Sequence, residues 1–333
     1  MKRIVLILLV IMLPGVIVWS GGQQTEVTIK QPDGFPKRAL TWIVPYGPGG
    51  GSDTFARELL KHAEKELGVP VKVVNIPGGG GLAALPELLV APADGYTLYG
   101  AGPYIVIGDL LGNIDFSYKD VTFLARGQKV VSMLFARSDD ERFSTWEDVE
   151  TYYLNTKTKL TVAFTGFGDL EEYVMHMFDN QTEVDFTLVP YGNPGERYTN
   201  FVGGQTDLMY EEPGDVKNLL DAGEIKPVIV LRDTEERLAD FLDIPSSAEY
   251  GIDIPYARWR GIAVRTGVAQ DRIDYLEKVF EKAWNEPEFQ EFLEKKYLTY
   301  ERGWAGHSEM EEYKENSYNT FKQVLTDLGV KIE

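Results

Sequence analysis

A glycine-rich loop between a β-rich run and a strongly helical segment places the tightest limit on the fold of this chain. Residues 39–44 form a short, mostly apolar run, and Pro45 ends it. Residues 53–67 follow with apolar side chains at helical spacing. A strand that passes into a helix over so few residues predicts an α/β fold, in which ligands bind where strands end and helices begin.

The same alternation of strand and helix patterns continues along the chain. It predicts strands at 71–75 and 96–100 around a helix at 82–90. A second series predicts helices at 145–155, 169–180, 195–202 and 213–222, and strands at 160–164, 185–190, 206–210 and 225–231. A strand at 259–264 and mostly helical sequence from residue 270 complete the predicted body.

Length and composition favour two lobes over one core. The chain has 333 residues, of which 44% are hydrophobic, and single cores stop growing beyond roughly 250–300 residues. We predict that each lobe has a central sheet flanked by helices, with a ligand cleft between the lobes. The first lobe is predicted to comprise residues 38–136 and 258–333, and the second residues 137–257, with crossings near 136 and 257.

The first glycine loop is the strongest candidate for ligand binding. Glycine lets backbone N–H groups approach a ligand closely, and the first amides of the following helix lack partners within the helix. An anion suits such a site, because the N-terminus of a helix carries positive potential. Asp53 would cap its own helix, or contact the ligand, or do both. The candidate residues are Tyr46, Gly49, Gly50, Gly51, Ser52 and Asp53.

A second glycine run at 78–81 precedes the predicted helix at 82–90. We expect Gly79 and Gly80 to bring a second helix N-terminus to the same cleft. A dinucleotide site would need an acidic residue at the end of the next strand, and Tyr99-Gly100-Ala101 supplies none. Neither loop has the Gly-Lys-Ser/Thr of a P-loop, so nucleotide binding is not expected.

The predicted second lobe repeats the strand-to-helix design twice, at 164–169 and at 190–195. We expect these loops to face the first-lobe loops across the cleft. Tyr46, Tyr104, Phe167 and Tyr191 could form its aromatic walls, although each could equally be ordinary packing. The candidate ligand-binding residues of this lobe are Thr165, Gly166, Phe167, Gly168 and Tyr191.

The N-terminus has the features of an export signal. Lys2 and Arg3 precede an apolar stretch from residue 4 to 18, which is too short for a comfortable transmembrane span. We predict cleavage after about Ser20, which makes residues 1–20 a signal peptide and 21–37 a tether. An uncleaved membrane anchor is the alternative. The expected location is the periplasm, and the absence of cysteine excludes disulfides and thiolate ligands.

Charge argues against nucleic-acid partners. The formal net charge is −19 and becomes about −21 without Lys2 and Arg3, so nucleic acid and anionic membrane surfaces would be repelled. A small organic anion can still bind, because surface charges are screened over roughly 8 Å at physiological ionic strength. Local hydrogen-bond donors then decide the affinity.

Nothing in the sequence predicts an enzyme, a cofactor or a metal site. His62, His176 and His307 are far apart, without metal-ligand spacing. Glu211 and Glu212 could form a catalytic carboxylate pair, but we interpret them as solvated or as caps of the following helix. A secreted enzyme therefore remains the lesser alternative to a binding protein. A receptor that reports to a membrane sensor is another alternative, because the same cleft would serve it.

Several motifs in order resemble the substrate-binding receptors of tripartite tricarboxylate transporters, the Bug-type periplasmic receptors. They lie at residues 40–57, 75–81, 93–98, 189–192, 203–209, 222–226 and 259–261. The resemblance implies a type II periplasmic-binding-protein fold whose lobes close over a small organic acid. It also implies that the loops at 49–53 and 165–168 bind the carboxylate ends, largely through amides and water.

The resemblance further implies delivery of the ligand to transporter membrane subunits by a protein that is not an enzyme. We expect the chain to be a monomer. Asp169 departs from the family pattern, which tends to have a small or polar residue there, and it could repel a second ligand carboxylate.

Overall fold

The computed structural model describes residues 29–112, 115–327 and 329–332. The predicted signal peptide and tether residues 21–28 lie outside this range. Phe35 belongs to the predicted tether but is fully buried, with its ring 4.9 Å from that of Tyr96. The folded body therefore begins before residue 38, because this aromatic side chain anchors the segment to it.

The first half of the described chain alternates strands and helices as the sequence predicts, and it adds a helix at 104–110 and strands at 121–130 and 132–137 that were not predicted. Its elements are β1 (Leu40–Val44), α1 (Gly51–Leu67), β2 (Val71–Asn75), α2 (Leu85–Val90), β3 (Thr97–Ala101), α3 (Tyr104–Leu110), β4 (Val121–Val130), β5 (Ser132–Arg137), α4 (Trp146–Thr156), β6 (Leu160–Phe164) and α5 (Leu170–Gln181).

The second half completes one sheet and then adds helices to the other. Its elements are β7 (Phe186–Pro190), α6 (Pro194–Val202), β8 (Leu208–Glu211), α7 (Lys217–Asp221), β9 (Ile225–Leu231), β10 (Arg258–Arg265), α8 (Gln270–Trp284), α9 (Pro287–Lys295), β11 (Ala305–Gly306) and α10 (His307–Asp327).

Two mixed sheets form the centres of the two lobes. The first has the strand order β11-β4-β10-β3-β1-β2, and the second the order β7-β6-β8-β5-β9. Strand β1 is parallel to β2 and β3, while β10 runs antiparallel to β3 and β4. In the second sheet β6 is parallel to β7 and β8, and β5 is antiparallel to β8 and β9. This is the two-lobed α/β fold that the sequence predicts.

The chain passes between the sheets at Val131, where β4 of the first sheet gives way to β5 of the second. The predicted crossing near residue 136 instead falls inside β5. The pattern hid this boundary because β4 and β5 form one long β-rich run with a single residue between them. The chain returns to the first sheet at Arg258, the first residue of β10.

Aromatic packing joins the C-terminal helices to the first sheet. The Trp42 ring of β1 lies 6.0 Å from Phe55 of α1 and 5.6 Å from Phe280 of α8. Phe289 of α9 is also fully buried beside Phe55. The late helices thus cover the sheet on which the first glycine loop is mounted. None of the helices in the described part of the chain is long and apolar enough to cross a membrane.

Candidate functional site

The first glycine loop connects β1 to α1 and presents the N-terminus of a helix of 17 residues. Gly50 is the N-cap residue in an extended conformation, and it makes no side-chain cap. The amides of Gly51 and Ser52 lie in the first turn, where the helix itself supplies no acceptor. This loop therefore offers hydrogen-bond donors and a positive helix end.

Asp53 braces this loop from within α1. Its carboxylate accepts hydrogen bonds from the Gly49 amide at 2.9 Å, from Arg57 Nε at 2.9 Å and from Asn75 Nδ2 at 3.0 Å. Burial raises the pKa of the Asp53 carboxyl, but the bonds from Arg57, Gly49 and Asn75 outweigh it and lower the pKa overall. The side chain is 4% exposed, so Asp53 holds the loop and β2 together.

We expected the second glycine run to present a second helix N-terminus, and it does not. Gly79–Gly81 form a short 3-10 turn, and α2 begins only at Leu85. The φ angles of Gly78, Gly79, Gly80 and Gly81 are all positive. Glycine adopts this conformation readily, but a regular helix does not start with it. The run serves close contact instead: a Cβ on Gly80 would lie 2.7 Å from the carbonyl carbon of Gly168 in the other lobe.

The loop between β6 and α5 carries the main second-lobe candidates. Glu171, in the first turn of α5, accepts hydrogen bonds from the Thr165 amide at 2.7 Å and from the Thr165 hydroxyl at 2.8 Å. Asp169 is the N-cap of α5 and accepts from the Leu170 amide at 2.7 Å. Glu172 accepts from the Gly168 amide at 2.7 Å. The amides of Thr165, Gly168 and Leu170 are thus bonded to carboxylates of α5 and of its N-cap residue.

Arg197 enters the cleft from α6, whose first turn is capped by Asn193. Its guanidinium donates to the Thr165 hydroxyl at 3.0 Å, to the Tyr191 carbonyl at 3.2 Å and to the Glu211 carboxylate. Burial alone would lower the pKa of Arg197, but the charge of Glu211 raises it. Arg197 therefore stays charged and fixes two second-lobe loops relative to β8.

Arg258 and Arg260 alternate along β10 and reach from the first sheet to the second lobe. Arg258 Nη2 donates to Asp169 at 2.7 Å and to Glu171 at 2.5 Å. Arg260 Nη2 donates to Glu212 at 2.9 Å and to Asp215 at 2.7 Å. Residues two apart on a strand point to the same face, so both guanidinium groups meet the carboxylates across the cleft.

These loops and side chains enclose a cavity of about 20 Å³ at the centre of the interface between the lobes. That volume holds about one water molecule, so a ligand requires the lobes to open or charged side chains to move. The cavity walls include Tyr46, Gly50, Gly51, Ser52, Thr165, Glu171, Pro194, Arg197, Glu211, Glu212, Asp215, Arg258 and Arg260.

Burial dominates the electrostatics around this cavity. It raises the pKa of the Glu171, Glu211 and Glu212 carboxyl groups, although nearby arginines oppose the shift. Burial also raises the pKa of Tyr46, whose hydroxyl donates to Asp169 at 3.2 Å. A low-polarity setting therefore makes any additional negative charge costly here.

Glu211, Glu212 and Asp215 are the described residues whose carboxylate oxygens lie close enough to share a metal ion, within 4.8 Å of one another. A guanidinium already occupies the cationic position at each of them: Arg197 at Glu211, Arg258 and Arg260 at Glu212, and Arg260 at Asp215. These carboxylates are therefore used for ion pairs, and we assign no metal ion to them.

The structure distributes the candidate residues over three places. Tyr46, Gly50, Gly51, Ser52 and Thr165 line the central cavity together. Gly79, Phe167 and Gly168 line an outer groove, where Phe167 is 55% exposed. The other candidates support these walls. The Gly49 amide donates to Asp53, Gly80 packs closely against Gly168, and the Tyr191 carbonyl accepts from Arg197. Gly166 lies in the second-lobe loop.

The match to a known family is decisive. The profile described as the tripartite tricarboxylate transporter family receptor matches residues 55–329, which is most of the chain. The chain belongs to this receptor family. Its members are periplasmic solute-binding proteins, and the sequence resemblance is confirmed.

Relatives of this receptor align over most of their own length. A UPF0065 protein of Bordetella pertussis is 27% identical over 264 residues, which cover 78% of this chain and 81% of that protein. Protein BugT of the same species is 23% identical over 240 residues, which cover 71% and 72%.

Solved structures agree on the fold of the receptor. The periplasmic binding protein BugD has a TM-score of 0.80 at 22% identity, with 89% of this chain and 99% of that chain covered. MatC from Rhodopseudomonas palustris with bound malate has a TM-score of 0.77 at 22% identity, with 87% and 100% covered. R. palustris Rpa4515 with adipate has a TM-score of 0.80 at 22% identity, with 89% and 99% covered.

Sequence reasoning missed the charged lining of this receptor. Glu211 and Glu212, which we interpreted as solvated or as helix caps, are 2% and 1% exposed and belong to the ion-pair network. Glu171, Arg197 and Arg258 were not singled out at all. One signal was present in the sequence: two arginines alternate on a strand whose other residues are mostly apolar, which predicts a buried acidic partner for each.

Proposed function

We propose that this receptor is exported, captures a small carboxylate-bearing organic acid between its two lobes, and delivers it to the membrane subunits of a tripartite tricarboxylate-type transporter. The family match supports the general role of solute binding. The MatC structure holds malate and the Rpa4515 structure holds adipate, and both compounds are dicarboxylates. We propose that the ligand of this chain also has a carboxylate.

One observation carries the proposal: the first turn of α1 and the Thr165 loop of the second lobe share a single cavity with three arginines. Backbone amides at a helix N-terminus favour a carboxylate. We assign Gly50, Gly51 and Ser52 as donors to the ligand, and Tyr46 and Thr165 as neighbours that orient it. Gly49 and Asp53 keep that loop in shape.

Closure would complete the site from both sides. A Cβ on Gly50 would lie 2.9 Å from Pro194 Cγ of the second lobe, so the two loops approach each other with no room to spare. Binding proteins of this design trap the ligand when the lobes close, and the membrane partner then recognises the closed form. We assign no catalytic residue, and we expect the protein to act as a periplasmic monomer.

Native mass spectrometry of the freshly purified protein tests the proposal first, followed by thermal-shift screening of mono-, di- and tricarboxylates. A ligand at 100 times its Kd stabilises the folded state by about 2.7 kcal/mol, which is on the order of several degrees in Tm for a protein of this size. Failure of every carboxylate to raise Tm would contradict the proposal.

Gly50→Asp localises the effect to the first loop. The added carboxylate would repel a ligand carboxylate, and its Cβ would meet Pro194, so we expect the ligand-induced Tm shift to be lost. Asn155→Asp is the matched control, because it adds the same charge to an exposed position on α4. A Gly50→Asp protein that responds to acids as the parent does would rule out the first loop as the binding site.

A further inference from the structure

The hydrogen bonds of Glu171 have the form of a recognised ligand carboxylate. One oxygen accepts from the Thr165 hydroxyl at 2.8 Å and from Arg258 at 2.5 Å, and the other accepts from the Thr165 amide at 2.7 Å. A backbone amide, a hydroxyl and a guanidinium are the donors that an external carboxylate would need. In this chain they are bonded to a side chain of the protein itself, which is 1% exposed.

The amides of Gly168 and Leu170 in this part of the second lobe are satisfied in the same way. Glu172 accepts from the Gly168 amide, and Asp169 accepts from the Leu170 amide. Asp169 also bonds to Arg258 at 2.7 Å and to the Tyr46 hydroxyl at 3.2 Å. A ligand carboxylate that reached this loop would have to displace a side chain that is already bonded.

The balance of charge in the cleft points in the same direction. Five carboxylates, those of Asp169, Glu171, Glu211, Glu212 and Asp215, meet three guanidinium groups, those of Arg197, Arg258 and Arg260. Their side chains are 1–13% exposed, so solvent screens them little. A dicarboxylate would add two negative charges to a cluster in which negative charge is already in excess.

The first lobe differs from the second in this respect. The amides of Gly51 and Ser52 stand in the first turn of α1, and both residues line the central cavity. Gly50, the N-cap residue, contributes no side-chain cap that would compete for them. Amide donors for one carboxylate therefore remain without an acceptor at the first turn of α1, beside the Arg260–Asp215 pair, while the opposite wall presents Glu171, Glu211 and Glu212.

From this asymmetry we infer that the ligand has one carboxylate, bound at the first turn of α1, and a cationic group that faces Glu171 and its neighbouring carboxylates, as in an ω-amino acid. The inference rests on the proposed function and refines its ligand class. Glu171 is then the residue that determines specificity: it fills the second carboxylate position and selects a positive charge in its place. Electrostatic complementarity of this kind excludes the wrong partner more than it tightens the right one.

Matched ligands test the inference on the unmodified protein. Thermal shift and calorimetry would compare 4-aminobutyrate, succinate and butyrate, and then 5-aminovalerate, glutarate and valerate. We expect each amino acid to bind at least tenfold more tightly than the dicarboxylate and the simple acid of its series. A dicarboxylate that binds as tightly as the amino acid, or more tightly, overturns the inference and leaves the proposed function standing. Binding of none of these six acids also overturns the inference, and the wider carboxylate screen then decides whether the proposed function stands.

Glu171→Gln tests the assigned residue. The substitution keeps the shape of the side chain but removes its charge, so the preference for the amino acid over the dicarboxylate should fall at least tenfold. Glu183→Gln is the control, because it makes the same change at an exposed position of the same lobe, and it should leave the preference unchanged. An unchanged preference in Glu171→Gln would exclude Glu171 as its source. If that variant does not fold, the comparison of ligands on the parent protein still decides the ligand class.

Discussion

Arg260 of β10 bonds to Asp215 of the second lobe at 2.7 Å, and the pair occupies the space into which a side chain on Gly51 would extend. A Cβ built on Gly51 would overlap both Arg260 Nη2 and Asp215 Oδ2. The first residue of α1 must therefore lack a side chain for the lobes to meet as they do. Position 51 joins the first glycine loop to the ion pairs that span the cleft.

Gly51→Ala is expected to hold the lobes apart. Its methyl group must displace Arg260 or Asp215, and overpacking of this kind costs about 1–3 kcal/mol. Small-angle X-ray scattering should give a larger radius of gyration than for the parent, and the ligand-induced contraction should be reduced. Thr151→Ala, at an exposed position on α4 away from the cleft, should behave as the parent. Equal scattering from both variants and the parent would show that the pair does not limit closure.

The glycine loops could be predicted from the sequence because their constraint is local. Consecutive glycines between a strand and a helix require close backbone approach, whatever the partner is. The prediction placed the loops at 49–53 and 165–168 on one cleft, and Gly50, Gly51, Ser52 and Thr165 do share one cavity. It failed at 78–81, because all four glycines have positive φ angles that a right-handed helix does not allow, and a pattern of apolar residues does not report φ.

The ion-pair network could not be predicted because its partners are distant in sequence. Arg258 is separated by 89 residues from Asp169 and by 87 from Glu171. Each residue taken singly is typical of a solvated surface, and only the packing of β10 against the second lobe brings them together. The lobe crossing was missed for a similar reason. Strands β4 and β5 have similar sequence patterns and differ only in the strands beside which they lie.

Arg197→Ala is expected to destabilise the fold strongly. It leaves Glu211 buried without its guanidinium, and removal of one partner of a buried pair costs roughly 3–5 kcal/mol. Urea denaturation should show this loss at neutral pH. The loss should shrink as the pH falls, because burial already raises the pKa of Glu211 and a proton can replace the missing positive charge.

The double variant Arg197→Met/Glu211→Leu provides the control for that experiment. It removes both charges while keeping similar volume, so it should recover more than half of the stability that Arg197→Ala loses. If the double variant is as unstable as Arg197→Ala, the loss does not come from an uncompensated Glu211. It then comes from the other hydrogen bonds removed, those of Arg197 to Thr165 and Tyr191 and those that Glu211 accepts from Tyr198 and the Glu212 amide.

Asp53→Ala is expected to cost about 2–3 kcal/mol, since it removes hydrogen bonds to a charged group from Gly49, Arg57 and Asn75. The folded-state pKa of Asp53 is lowered, so its stabilisation is complete above the unfolded value of about 3.9 and is lost as the pH falls through the folded value. Denaturation of parent and variant between pH 3 and 7 measures the difference.

Glu58→Ala is the control for Asp53→Ala. It breaks a pair with exposed Lys61 and should change stability by under about 1 kcal/mol. A similar effect of the two variants would contradict the role of Asp53 in stabilising the loop.

The titration of His176 reports on the hydrogen bond between Glu172 and the Gly168 amide in the second-lobe loop. Its Nε2 lies 3.7 Å from Glu172, the residue whose carboxylate accepts from the Gly168 amide. The nearby Glu172 carboxylate raises the pKa of His176 above its ordinary value near 6.5. The chain has three histidines, so proton NMR can follow this one, and Glu172→Gln should move its titration to lower pH.

The sign of the stability effect follows from that shift. A histidine with a raised folded-state pKa contributes stability that is complete below the unfolded pKa and is lost as the pH rises through the folded value. Because the side chain is 46% exposed, solvent screening limits the contribution to a few tenths of a kcal/mol. His176→Gln should therefore be less stable than the parent at pH 5.5 and equal to it at pH 8.5. A larger deficit at pH 8.5 than at pH 5.5 would mean that the neutral imidazole, rather than its charge on Glu172, supports the loop.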